Sequence, residues 1–170
     1  MRLLVCALVR LNALSLTKAE ARAERKPLLI ANWKYKNQSR LQTPPKDMKF
    51  LKKKLRSLGY QVTVEENLRA GELDNVVGDY AEVLTADDEV YFHYAGHGLE
   101  LGGSTMLLGV DFDARDARDD PEARGTVYPL DAPIDRLSTA KAAVVVIDKC
   151  RHNRVAPSYV VSKNSHQARL

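Results

Sequence analysis

The sequence predicts one α/β domain with a mainly parallel central sheet. Short apolar, β-branched runs alternate with segments of helical period, the pattern of helices packed on a parallel sheet through crossover connections. The two clearest runs, residues 28–31 and 142–147, are continuous rather than alternating, as strands buried on both faces are. The chain has 170 residues, 45% hydrophobic and 28% charged, which is enough for a core and is neither a disordered nor a membrane-embedded composition.

The elements follow in order. Residues 27–31 open the sheet, and a polar loop over 34–43 leads to Pro44-Pro45. Met48, Leu51, Leu55 and Leu58 fall at helical spacing over 47–58; Lys52, Lys53 and Lys54 read as the solvated face and Gly59 as the stop. Residues 61–64 form a second strand. Leu73, Val76, Val77, Tyr80 and Leu84 mark a second amphipathic helix, and 89–94 a third strand. Gly102-Gly103 is the turn of a hairpin between 99–101 and 106–108. Residues 111–125 are a charged, aperiodic loop. Ile134 and Leu137 sit in a short helix, and the apolar strand 142–147 runs into Asp148.

Charge excludes one class of partner. Six Lys/Arg (Arg2, Arg10, Lys18, Arg22, Arg25, Lys26) and two Glu in residues 1–26 account for the whole net charge of +4. The remaining 20 basic and 20 acidic residues cancel, so the basic pI does not speak for nucleic acid binding by the domain. No stretch approaches the roughly 20 apolar residues of a membrane span. Residues 1–26 read as an N-terminal extension or a targeting segment, with the apolar run 3–9 followed by small-residue triplets. Cys6 and Cys150 make no disulfide framework, and a free Cys150 thiol fits a cytoplasmic, reducing compartment; a secreted or otherwise targeted form is the alternative.

The chemistry concentrates at two strand ends. Tyr94-Ala95-Gly96-His97-Gly98 and Asp148-Lys149-Cys150-Arg151 each close an apolar run, with Cys150 lying 53 residues after His97. A nucleophilic thiolate needs a base or an imidazolium beside it. In a parallel sheet both would lie at the carboxyl ends of the strands, where ligands bind, and neighbouring strands would bring them together. Glycines around His97 let a substrate carbonyl approach closely, and the backbone N–H groups of Gly98 and Cys150 are candidate oxyanion donors. Asp148 would raise the thiol pKa unless a cation separates them, and a basic substrate side chain is such a cation. His93 and His97 are four apart on a strand, which does not suit a metal site. The cluster Asp111, Asp113, Asp116, Asp119 and Asp120 lacks the order of a calcium loop and is interrupted by arginines.

These residues resemble the caspase-like peptidases of the caspase/metacaspase clan, on the paracaspase side. The matching pieces are residues 28–32 with Tyr35, then Leu41, Pro44 and Asp47, then 58–60 with Val62, Asn67-Leu68, the Gly-His-Gly motif, Leu107-Leu108 with Val110-Asp111, and 148–151. The resemblance implies a caspase-like sandwich and an endopeptidase with a His97/Cys150 dyad that cleaves after Arg or Lys. Asp148 and, by a weaker match, Asp47 would receive the basic side chain. The family's domain continues beyond the cysteine, so the resemblance covers the large-subunit half, with the C-terminal part missing. On this basis 27–154 are expected to form the domain and 155–170 an irregular tail, leaving a bare sheet edge that a second chain or a homodimer would complete. Lys149 departs from the family's small or apolar residue; its cation would either favour the thiolate or repel a basic substrate. No cofactor is implied, though metacaspases often need calcium. The expected partner is a protein or peptide substrate, with no nucleic acid and no membrane. The alternative reading is a catalytically incomplete interaction module or truncated remnant.

Overall fold

A computed structural model of the protein describes residues 24–101, 103–113, 125–150, 159–162 and 168–169, with the backbone alone at 101, 150, 159–162 and 168–169. The elements are β1 (Arg25–Ala31), α1 (Pro44–Ser57), β2 (Thr63–Glu66), α2 (Ala70–Glu82), β3 (Glu89–Leu101), β4 (Ser104–Leu108), β5 (Val127–Pro129), α3 (Asp131–Arg136), β6 (Ala142–Cys150), β7 (Tyr159–Ser162) and β8 (Ala168–Arg169). The strands lie in the order β2-β1-β3-β6-β7-β8, with β4 paired to β3 and β5. β2, β1, β3 and β6 are mutually parallel, and β7 and β8 add on antiparallel. The sheet is thus the predicted α/β, caspase-like kind. The chain order reverses between β1 and β3, the switch point at which a crevice opens beyond the strand ends.

Strand alternation sorts the core onto two faces. Leu28, Ile30, Phe92, Tyr94 and Val145 pack on one face against Leu73 and Val77 of α2 and Leu137 just after α3. Leu29 and Ala31 pack on the other against Met48 of α1, flanked by Leu51, Leu55, Val64 and Tyr91. Leu28, Leu29 and Ile30 are fully buried, so each contributes about 1.5–3 kcal/mol of apolar burial. Tyr91 and His93 of β3 lie on the α1 face, beside Val144 and Val146 of β6. There α1 gives out, and Val144 is 37% exposed.

α1 starts three residues earlier than the helical spacing predicts. Pro44 and Pro45 occupy its first turn, where the missing N–H has no intrahelical use and the fixed φ suits a helix. β1 also starts within the segment assigned to the N-terminal extension. Arg25 and Lys26 pair in register with Glu89 and Val90, and their charges are met by Glu89 at 2.9 Å and Asp88 at 3.0 Å. Residues 1–23, including Cys6, lie outside the described residues. The irregular tail is corrected too: Tyr159–Ser162 pairs with Val145–Ala142, so β7 occupies the edge of β6 that was expected to be bare. That four-residue run is too short for periodicity to reveal. β5 was missed for the same reason.

Asp88 locks the entry to β3. Its buried carboxylate accepts hydrogen bonds from the Glu24 and Thr85 N–H groups, the Thr85 hydroxyl and Lys26 Nζ. Burial alone would raise its pKa, but these donors outweigh burial and hold it at about 2, against an ordinary 3.8. A carboxylate depressed in the folded state stabilises above its unfolded pKa and loses that contribution as pH falls through the folded value. The shift corresponds to about 2 kcal/mol. Urea titrations are therefore expected to show stability dropping between about pH 4 and 2, with Asp88→Asn removing most of that pH dependence and lowering stability at pH 7.

Candidate active site

The motif histidine and the motif cysteine position lie at the point where β3 changes partners. Up to Ala95, β3 is held between β1 and β6; β1 then ends at Ala31. Pairing with β6 continues through Gly96↔Lys149 to His97↔Cys150. From Gly98 onward β3 turns into a hairpin with β4, Gly98 opposite Leu107. His97 is therefore within the strand rather than beyond it, at the last position of its parallel stretch. Position 150 is its direct register neighbour, and paired positions of parallel strands fall on the same sheet face.

The space left where β1 ends is filled by the loop from Asn32 to Thr43, which fixes the His97 ring. The His97 N–H donates to Tyr35 Oη at 2.7 Å, and its carbonyl lies 2.9 Å from Tyr94 Oη. The ring packs on the Tyr35 ring, centroids 4.5 Å apart and tilted 53°. Nε2 is 2.8 Å from the Ser39 carbonyl oxygen. A carbonyl only accepts, so Nε2 carries a proton and the neutral ring has its lone pair at Nδ1. Burial raises the Tyr94 phenol well above 10, and it remains a neutral hydroxyl between the His97 and Leu108 carbonyls.

Gly96 is required here for space. A Cβ at this position would lie 2.6 Å from Tyr94 Oη and 2.7 Å from Tyr35 Oη. Gly96→Ala is expected to push both hydroxyls off His97 and cost about 1–3 kcal/mol, with a larger proportional loss of activity. Comparing melting temperature with turnover of the variant checks this. At Gly98 a Cβ would meet Lys149 Cδ and the Met106 carbonyl oxygen, each at 3.0 Å.

Lys149 faces away from this site. Alternation along β6 puts it on the α2 side, 8% exposed, with Nζ 2.6 Å from Glu100 Oε1. Glu100 also accepts from the Thr105 hydroxyl at 2.8 Å. The Lys149 contact, against an opposing push from burial, holds the Glu100 carboxyl below its usual range. The charge of Lys149 is committed to fastening the β3–β4 hairpin to β6, on the sheet face opposite His97.

Asp148 is exposed, opposite Ala95 on the same face as His93 and His97. Asp47 is exposed in the first turn of α1, next to the buried Met48 that packs on that face. Both carboxylates raise the pKa of the His93 ring against the lowering by burial, so the two candidate substrate-binding residues, distant in sequence, act electrostatically on one ring. His93 carries no sequence signal of a role once a metal role is set aside, although the two-residue alternation of a strand places it with Ala95 and His97 on the site face. Ser39, within an undistinguished polar loop, had no signal. Asp111 is a cap: its Oδ1 lies 3.2 Å from the Ala70 N–H at the start of α2. Asp116, Asp119, Asp120, Arg151, His152 and His166 lie outside the described residues. Among the described residues no group of three or more His, Cys, Asp or Glu is placed to hold a metal ion, and no helix is long and apolar enough to cross a membrane.

A mainly parallel α/β sheet, helices on both faces, with a histidine motif and a cysteine motif in register at the strand ends, defines a cysteine peptidase-like fold. A family profile described as caspase domain (Peptidase_C14) matches residues 24–169, and the chain belongs to that family. It is 35% identical over 86 residues to mucosa-associated lymphoid tissue lymphoma translocation protein 1 of Homo sapiens, a stretch covering 49% of this chain and 10% of that protein. Both findings agree with the caspase-like, paracaspase-side resemblance.

Proposed function

We propose that this chain is a cysteine-type endopeptidase that uses His97 and Cys150 and cleaves after Arg or Lys. The observation that carries the reading is the His97↔Cys150 register pair, together with a His97 ring whose Nε2–H is committed to Ser39 and whose basic nitrogen is Nδ1. In this scheme Nδ1 takes the thiol proton and the thiolate attacks the scissile carbonyl carbon. The N–H groups of Gly98 and Cys150 stabilise the oxyanion. The imidazolium protonates the departing amine, leaving a thioester on Cys150. Water, deprotonated by Nδ1, then releases the acid and restores the thiol. Asp148 and Asp47 receive the basic P1 side chain, which also separates Asp148 from the thiolate.

Nucleophile and base both belong to this chain, so the reaction as drawn uses no cofactor and routes no step through calcium. The substrate is a protein or peptide, and a homodimer or second chain would act through the sheet's outer strands. A cytoplasmic setting suits a free thiol.

Fluorogenic tetrapeptides with Arg, Lys or Asp at P1, assayed with calcium and with a chelator, test this. Release is expected from the Arg and Lys peptides and not from the Asp peptide. No release under either condition, despite a cooperatively folded chain, would favour the non-catalytic interaction module.

A further inference from the structure

We propose that His93 sets the charge of the P1 pocket: as a neutral ring it leaves the Asp47 and Asp148 carboxylates to the substrate's guanidinium or ammonium group, and as an imidazolium it takes them for itself. The inference rests on the reading of those two carboxylates as the pocket for a basic side chain.

His93 sits in the middle of the site face. Its register neighbours are Leu29 of β1 and Val146 of β6, and its ring stacks near-parallel on Tyr91, centroids 6.3 Å apart. It is 9% exposed, and its Nδ1 is enclosed with no hydrogen-bond partner among the described residues. A buried polar atom left unpaired is costly, and a Leu or Phe would fill the same space without that cost. The fold gains nothing from the nitrogen, so its use is sought in the site.

The groups around it define that use. β1 presents the apolar Leu29 and Ala31; β6 presents Val146 and, opposite Ala95, Asp148; α1 packs on this face through Met48, with Asp47 beside it in the first turn; β3 itself presents Tyr91 and, beyond Ala95, His97. Lys149 and Glu100 form their pair on the opposite face. Burial pushes the His93 pKa down, and Asp148 and Asp47 pull it partly back. The ring is thus neutral at neutral pH, and both carboxylates favour its protonated form. A substrate cation between those carboxylates competes with that proton. By linkage, each must weaken the other's binding by the same factor.

The test uses the intact chain with N-acetyl-arginine amide as the probe. Calorimetric titration at pH 7.5 and at one pH unit below the His93 midpoint read by NMR is expected to show binding weakened on the order of 5-fold or more at the lower pH. In His93→Gln the ratio between the two pH values should shrink towards one. NMR titration of the histidine rings, with His93 assigned by its disappearance in His93→Gln, gives a second readout. Saturating amide should move its midpoint to lower pH, and Asp148→Asn should do the same in the free chain. A His93 midpoint that neither the amide nor Asp148→Asn displaces overturns the proposal. So does the absence of amide binding at pH 7.5, or an equal pH ratio in the variant. Binding that follows the predicted pH course without any peptide cleavage would remove the peptidase reading and leave this one standing. Cleavage of Arg peptides with pH-independent amide binding would do the opposite.

Discussion

Cys150→Ala is expected to reduce cleavage of an arginyl peptide by about 10³-fold or more while leaving the melting temperature within a few degrees of wild type. Position 150 ends β6, and alanine can make the same backbone pairing with His97. The loss therefore reports the sulfur rather than the strand. His97→Gln should lose a similar factor, because without the imidazole the thiol keeps its proton near neutral pH. The double variant should be little worse than either single one, as groups that act as a unit are strongly non-additive. Initial rates on the three variants, with circular dichroism on each, make the comparison. Additive losses would mean that the two residues serve separate steps.

The second large effect is structural. Asn32 is fully buried at the end of β1. Its Nδ2 donates to the Leu68 and Leu108 carbonyls, each at 3.0 Å, and its Oδ1 accepts the Leu68 N–H at 2.8 Å. Its own N–H is bonded to the Ala95 carbonyl at 2.8 Å, two residues from His97. The side-chain amide thus ties the end of β1 to the approach to α2 and the end of β4, while the backbone N–H holds it to the strand that carries the histidine. Asn32→Ala would strand the Leu68 N–H and carbonyl, while the Leu108 carbonyl keeps the Tyr94 hydroxyl; at about 1–3 kcal/mol for each stranded group less whatever water recovers, a total loss of about 2–4 kcal/mol is expected. Asn32→Asp should be worse at pH 7, since it places a carboxylate against those two carbonyl oxygens. Urea denaturation at pH 7 measures both. A loss under 1 kcal/mol for Asn32→Ala would mean that the loops are held by other contacts.

The fold was largely legible in the sequence because its signals are periodic. Continuous apolar runs located the central strands, and α1 and α2 declared themselves by their spacing. Elements without room for a period were not legible: β5 with three residues, β7 with four and β8 with two. The boundary at residue 26 failed because Arg25 and Lys26 look like solvent residues, and only the cross-strand carboxylates of Glu89 and Asp88 explain them. The site divides in the same way. His97 and Cys150 stood out because glycines and a D-x-C context mark them. Their neighbourhood, once each was placed at a strand end, needed only that the two strands be adjacent. Ser39 and Tyr94 act on His97 through a carbonyl and a hydroxyl, which leave no composition or spacing signal. His93 was visible but looked idle, since the two carboxylates that act on its charge come from α1 and β6, 46 residues before it and 55 after.

The central claim is that His97 Nδ1 and the Cys150 sulfur exchange a proton. The most direct measurement is the pH dependence of Cys150 alkylation by iodoacetamide, followed at the peptide level by mass spectrometry to separate it from Cys6, in wild type and His97→Gln. A midpoint well below the ordinary thiol value of about 8.5 in wild type, rising towards that value in the variant, is the predicted result. The same midpoint in both proteins would contradict the claim.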